Sequence, residues 1–181
     1  MKNFAQIILN LMGWKYEALT PEFDKCVLVI APHTSNWDFL MGKLGYSAMG
    51  RNANFVIKNE WTTGLLGPII KKIGGIGVDR SKANRFTDQI AEIYNSREKF
   101  SLAITPEGTR KRNPKWKKGF YHIAIKAQVP IVLVVIDYKK KYMALFDVFT
   151  PTGDEQADIK AIQQKYKDAT GKNPDQFSFG D

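Results

Sequence analysis

A histidine and an aspartate with four residues between them, in Pro32-His33-Thr34-Ser35-Asn36-Trp37-Asp38, are the residues whose types and spacing best suit chemistry. An aspartate that accepts the proton of one imidazole nitrogen fixes the tautomer and leaves the other nitrogen free to take a proton from a hydroxyl. In regular helix the two side chains would stand about 140° apart, so the chain must turn before its helix begins if they are to meet. Ser35 and Asn36 suit the cap of that helix. Spacing alone also describes a hydrogen-bonded loop histidine beside a helix-start carboxylate.

A second stretch, Thr105-Pro106-Glu107-Gly108-Thr109-Arg110, sets one carboxylate between a proline and a glycine, and Lys111, Arg112, Lys115, Lys117 and Lys118 follow it. Such a loop is tight, and Arg110 with exposed amides of Gly108 and Thr109 suits a phosphate. A third, Gly74-Gly75-Ile76-Gly77-Val78-Asp79-Arg80, allows close backbone approach, and Arg80 is placed to reach an anion. It has neither the Walker lysine arrangement nor the dinucleotide spacing. By themselves these two stretches also describe surface turns.

The elements that must position these groups are legible in the apolar pattern. Val27 to Ala31 is a continuous apolar run, which suits a strand buried on both faces of a parallel sheet. Short apolar strands are expected at Asn54 to Ile57, Ile76 to Val78, Ser101 to Ile104, Ile131 to Ile136 and Tyr142 to Phe149, the last reached through Lys139, Lys140 and Lys141. Helical patterns at Phe39 to Met49, Ala83 to Tyr94 and Gly119 to Ala127 separate them, and Asp158 to Lys167 reads as a final helix. The alternation predicts an α/β fold: one domain over residues 1–181, a mostly parallel sheet flanked by helices, and a short N-terminal amphipathic helix. Sheets of this kind gather ligands at the carboxyl ends of their strands. His33, Lys58, Asp79 with Arg80, and Glu107 with Arg110 each follow a different predicted strand, as expected of an enzyme.

The 181 residues carry a formal charge of +9, which favours an anionic partner such as nucleic acid, anionic lipid, a phosphorylated substrate or an acidic carrier protein. No apolar run approaches the roughly 18 to 20 residues that span a bilayer. Phe4, Ile7, Ile8 and Leu11 share one helical face in the segment Phe4 to Trp14; the helix, within residues 1–15, either lies in a lipid interface or packs on the core. Leu65, Leu66, Ile69 and Ile70, within Trp61 to Ile73, line an acyl path, dip into lipid or pack in the core. Residues 171–181 carry few packing signals and are expected to form a loosely docked tail. Cys26 leads into an apolar run and reads as buried filler. One cysteine and no signal-like segment suggest a reducing, cytoplasmic setting. With two histidines and one cysteine, no zinc site and no other metal is expected.

Taken in order, His33 to Asp38, Gly74 to Arg80, Pro106 to Arg110 and Val129-Pro130-Ile131-Val132 resemble the four motif blocks of the glycerolipid acyltransferase family, which includes 1-acylglycerol-3-phosphate acyltransferases. The resemblance covers roughly residues 27 to 136. Pro32 stands where that family often has asparagine, Thr105 where an aromatic residue is common, Lys111 where serine is frequent, and Leu133 where a second proline is usual.

The resemblance implies an O-acyltransferase of phospholipid biosynthesis that moves a fatty acyl group from acyl-CoA or acyl carrier protein to a lysophospholipid hydroxyl, yielding phosphatidic acid where the acceptor is 1-acylglycerol-3-phosphate. His33, Asp38 and Glu107 would be catalytic. Arg80 and Arg110, with Gly108 and Thr109, would hold the acceptor phosphate, and Glu107 would contact an acceptor hydroxyl or steady Arg110. Lys58, or amides near Val129 to Ile131, would face the oxyanion. No cofactor beyond the acyl donor is expected. The partners would be the lysophospholipid, the donor and an anionic membrane surface, with the protein peripheral on the inner face of the membrane and no nucleic acid bound. Two alternatives remain: transfer to another lipid hydroxyl, of an aminolipid or glycerol phosphate, and a non-catalytic basic domain that binds lipid or nucleic acid. None of the common nucleic-acid reader motifs is present.

Overall fold

The computed structural model describes residues 2–78 and 83–180. The apolar run after Asp24 forms β2 (Lys25–Ala31), which follows α1 (Lys2–Leu11) and the short β1 (Lys15–Ala18). After it come α2 (Trp37–Ala48), β3 (Asn54–Lys58), α3 (Asn59–Thr63), α4 (Gly67–Lys72), β4 (Gly75–Val78), α5 (Ala83–Asn95), β5 (Phe100–Ile104) and α6 (Gly119–Ala127). The chain ends with β6 (Ile131–Asp137), β7 (Tyr142–Phe149) and α7 (Glu155–Gln164). The strands form one sheet in the order β1-β7-β6-β2-β5-β3-β4. Every neighbouring pair is parallel except β6 with β7, which pair antiparallel.

The continuous apolar runs have the expected consequence: β2 and β6 are central and covered on both faces. On one face Val27, Val29 and Ala31 pack with Ile90 and Tyr94 of α5, Phe120 of α6 and Ile162 of α7. On the other, Leu28, Val132 and Val134 meet Tyr46 of α2, while Ala5 and Leu9 of α1 pack against Met41 and Ala48 of α2. Gly45 lets α2 approach β7, since a Cβ there would fall 1.9 Å from Met143 Sδ. The steps β2 to β3 and β3 to β4 run the same way across the sheet, and β4 to β5 returns. Right-handed crossovers therefore put α3 and α4 on the face of α2 and α5 on the opposite one.

Three differences from the sequence-based expectations have local causes. β1 has no counterpart among the expected strands, because Lys15–Ala18 is polar and largely exposed; it is held by parallel backbone pairing with β7 at the sheet edge. α7 begins earlier than its apolar residues suggest, because Asp154 caps it by accepting the N–H of Ala157 at 3.0 Å. The C-terminal segment is tied down instead of loosely docked. Phe177 and Ser178 are buried, Trp116 Nε1 donates to the Ser178 carbonyl at 2.9 Å, and Arg112 Nη1 donates to the Phe177 carbonyl at 3.1 Å. The partners that secure this segment lie about sixty residues away in the basic run, and a local pattern cannot report them.

Candidate active site

The turn between β2 and α2 brings His33 back over the start of the helix, so that His33 Nδ1 stands 3.2 Å from Asp38 Oδ2. Asp38 does more than meet the imidazole. Its Oδ2 also accepts the N–H groups of Thr34 at 2.7 Å and Ser35 at 2.8 Å, and its Oδ1 accepts the hydroxyl of Tyr138 at 2.8 Å. Burial pushes this carboxyl up, but the donors from His33, Ser35, Tyr138 and Thr34 outweigh it and hold Asp38 below the usual carboxylate range. A carboxylate held charged makes Nδ1 the donor of the pair and leaves Nε2 bare to act as a base. The histidine side chain keeps 20% of its surface exposed while that of Asp38 keeps 3%, so the imidazole faces outward from a sealed carboxylate.

Thr34 is braced from behind. Its carbonyl accepts Asn173 Nδ2 at 2.7 Å, its hydroxyl accepts the Asn173 N–H at 3.1 Å, and Gly171 lies so close that a Cβ would fall 2.7 Å from Thr34 Oγ1. The C-terminal segment is thus part of the wall behind the dyad. Of the two residues expected to cap α2, Ser35 accepts the Trp37 N–H at 3.2 Å, whereas Asn36 turns its amide oxygen to Arg110 Nη1.

The loop after β5 supplies the other side. Gly108 adopts a φ of +67°, a region that favours glycine, and the loop closes through Gly108 N–H to the Thr105 carbonyl and Lys117 N–H to that of Pro106. Glu107, expected to contact an acceptor hydroxyl or steady Arg110, has no exposed surface. Its Oε1 accepts the backbone N–H of His33 at 2.6 Å, and its Oε2 is buried with no hydrogen-bond partner among the described residues. Burial pushes this carboxyl up to about 8, against the pull of the His33 N–H, and the charge on Asp38 adds to the rise. Glu107 thus accepts the His33 backbone N–H from behind the dyad, and its burial favours the protonated form.

His33, Asp38, Gly108, Thr109, Arg110 and Lys117 line a cleft of about 720 Å³. From the dyad it runs between α2 and the sheet over apolar groups such as Ile30, Phe39, Phe55 and Val134. This is room and lining for a hydrocarbon chain, and Lys43, Tyr46 and Asn54 add polar groups to the lining away from the dyad.

Other expected site residues fall elsewhere. Lys58 is exposed at the end of β3 and does not line the cleft. The amides near Val129 to Ile131 lie at the opposite edge of the sheet: Ile131 pairs with Val27 at the start of β2, roughly 20 Å back along the strand from His33. Arg80 lies outside the described residues. None of Trp61, Leu65, Leu66, Ile69 or Ile73 lines the cleft; all five are exposed. Cys26 is buried, with its thiol donating to Ser101 Oγ at 3.4 Å. His122 sits on the surface, 2.9 Å from Glu155 Oε2. Among the described residues there is no cluster of three or more metal-ligating side chains. One site group was not expected from the sequence, Tyr138, whereas Lys117 belongs to the basic run after Arg110. Tyr138 had a signal, for it follows β6 at the same carboxyl edge as the other site loops.

Fold and site together define a class, the open α/β proteins that carry a histidine–aspartate dyad at the carboxyl edge of the sheet beside a basic loop. The family described as Acyltransferase matches residues 15–137, and the chain belongs to it. The chain is similar to the 1-acyl-sn-glycerol-3-phosphate acyltransferase of Haemophilus influenzae, 31% identical over 134 residues, which is 69% of this chain and 55% of that protein. Its similarity to the Escherichia coli K12 protein of the same name is 28% over 142 residues, covering 70% and 54% of the two chains. To the human 1-acyl-sn-glycerol-3-phosphate acyltransferase beta it is 28% identical over 185 residues, covering 88% and 64%. The crystal structure of the 1-acyl-sn-glycerophosphate (LPA) acyltransferase PlsC from Thermotoga maritima shares the fold, with a TM-score of 0.58 at 16% identity over 94% of this chain and 80% of that one. The chain spans about half the length of the two bacterial relatives.

Proposed function

We propose that the protein is an O-acyltransferase that moves a fatty acyl group from acyl-CoA or acyl carrier protein to the free hydroxyl of a lysophospholipid, 1-acylglycerol-3-phosphate being the first acceptor to test. The observation that carries this is the charged, fully hydrogen-bonded Asp38 holding an outward-facing imidazole at the mouth of an apolar cleft beside Arg110. His33 Nε2 removes the hydroxyl proton as that oxygen attacks the thioester carbonyl. The tetrahedral intermediate collapses, the carbon–sulfur bond breaks, and the departing thiolate takes the proton back from the imidazolium. The apolar cleft suits the acyl chain, and Arg110 suits the acceptor phosphate. The names of the relatives support the same acceptor class.

The test is product identification by mass spectrometry after incubating the purified protein with acyl-CoA or acyl carrier protein and a panel of lysophospholipids, glycerol phosphate and an aminolipid. Phosphatidic acid from 1-acylglycerol-3-phosphate is the expected product; no acylated product from any pair refutes the reading. Arg110→Ala is expected to raise the KM for a phosphate-bearing acceptor about 10- to 100-fold, the range for a lost charge-assisted bond, with kcat nearly unchanged. An unaltered KM would remove Arg110 from the phosphate site.

We further propose that the helical face formed by α1 to α4 rests on an anionic membrane. Of the exposed large apolar side chains among the described residues, all but Leu19 and Ile125 lie on α1 to α4 or the turns directly beside them, with Leu65 97% exposed. Lys2, Lys58, Lys71 and Lys72 are exposed beside them and suit acidic headgroups. Among the described residues no helix is long and apolar enough to cross a membrane. Changing Leu65 and Ile69 together to serine is expected to weaken partitioning onto vesicles containing phosphatidylglycerol at least about tenfold in a sedimentation assay. Unchanged partitioning would move the contact off this face.

A further inference from the structure

We propose that Tyr138, braced by Trp14, is a positioning residue for the His33–Asp38 pair. This rests on the dyad reading above and concerns a residue that no motif block contains. Tyr138 directly follows β6, and its own N–H is fixed by the Thr170 carbonyl at 2.9 Å. From there its hydroxyl donates to Asp38 Oδ1 at 2.8 Å, on the oxygen that His33 does not use. Tyr138 does not line the cleft, and its link to the dyad is the bond to Asp38.

The ring is held as well as the hydroxyl. Trp14 meets it edge-on at 90° with centroids 5.1 Å apart, and Trp14 is itself buried in the cluster formed by Ala5 and Leu9 of α1 with Met41 and Ala48 of α2. Oδ2 of Asp38 is oriented by local loop amides, whereas Oδ1 is oriented from a hundred residues away, through a tyrosine that the N-terminal layer keeps in place. The two oxygens must both be held for the carboxylate plane to present one lone pair to Nδ1.

The consequence for His33 has a definite sign. Tyr138 shares the negative charge of Asp38; without it the carboxylate pulls harder on an imidazolium at His33. Other charged or titratable groups on the elements beside the dyad are Glu107, which accepts the His33 N–H, Arg110 and Lys117, which line the same cleft, and Lys172, which lies over the Trp37 ring at 4.7 Å. Tyr138→Phe leaves all of these in place.

The experiment follows the imidazole signals of His33 by NMR against pH in the 181-residue protein and in Tyr138→Phe, alongside kcat and KM. His122 provides an internal reference, because it lies on the surface beside Glu155. In Tyr138→Phe the His33 midpoint is expected to rise by about half a pH unit and kcat to fall about fivefold, with KM for both substrates unchanged. Trp14→Leu is expected to move the same readouts in the same direction by less. A His33 midpoint unmoved in Tyr138→Phe overturns the proposal even if kcat falls, since that pattern marks general loosening. Should Tyr138→Phe fail to fold, an unmoved midpoint in Trp14→Leu overturns it equally. If the wild-type protein acylates nothing, the proposed function fails, and the NMR titration still decides the role of Tyr138.

Discussion

His33→Ala is expected to lower acyl transfer about 10²- to 10⁴-fold, the range for removing a positioned general base, while leaving the thermal transition within a few degrees of wild type. The small effect on stability follows from the outward-facing ring, whose polar partner within the fold is Asp38. Asp38 is different, because it is both the dyad carboxylate and the acceptor for the Thr34 and Ser35 amides. Asp38→Ala would orphan those donors and is expected to destabilise by roughly 1–3 kcal/mol or more, so its loss of activity would be ambiguous. Asp38→Asn keeps an oxygen for the loop and loses the charge; it is expected to fold and to lose activity to a similar degree as His33→Ala. The check is a single-turnover thiol-release assay beside a melting curve for each variant. A His33→Ala protein within tenfold of wild type would remove the histidine as the base.

Glu107→Gln is expected to change the pH dependence of stability more than it changes activity. Burial pushes the folded carboxyl up to about 8, whereas the unfolded one ionises near 4.5. The unfolded state therefore loses its proton first as pH rises. The stability associated with a neutral Glu107 is complete below about pH 4.5, declines between 4.5 and 8, and is gone above 8. With 3.5 units between the two values, the decline is on the order of 4 to 5 kcal/mol. Asp38 works in the opposite sense at the acid end: its folded value lies below 3.8, so its contribution is present above that and is lost on acidification. It leaves the 4.5 to 8 window to Glu107. Glutamine copies the protonated acid in shape and still offers an oxygen to the His33 N–H. Denaturant titrations from pH 5 to 8.5 are expected to show Glu107→Gln losing this slope and exceeding wild type at the alkaline end, with acyl transfer at neutral pH within about tenfold of wild type. Equal slopes in the two proteins would show that Glu107 is not buried as the acid. A collapse of activity comparable to that of His33→Ala would return Glu107 to the reacting centre.

These two variants separate chemistry from support in a site whose motif residues look alike on paper. His33 and Glu107 stand in neighbouring loops and both belong to a recognisable block, yet one presents its ring at the cleft and the other is sealed behind it. The basic run after Arg110 divides in the same way. Lys117 lines the cleft, Arg112 holds the C-terminal segment, and Lys118 pairs with Glu155. Net positive charge therefore describes several different jobs.

The sequence by itself determined the α/β class, the central strands and the loops that carry the dyad and Arg110, because these depend on local quantities. A strand covered on both faces must be apolar throughout, and the residues immediately C-terminal to each such strand are the carboxyl-edge loop. Tertiary structure alone decided the rest. That Glu107 holds the His33 backbone, that Tyr138 completes the shell of Asp38, and that Asn173 braces Thr34 are contacts between residues 74, 100 and 139 positions apart. The exclusion of the Val129 to Ile131 amides came from strand direction, and the eviction of Lys58 came from where β3 ends relative to the cleft. Local pattern specifies which residues stand at an edge; only the packed sheet fixes which of them face the same space, since burial and partner distance are set by elements far away in the chain.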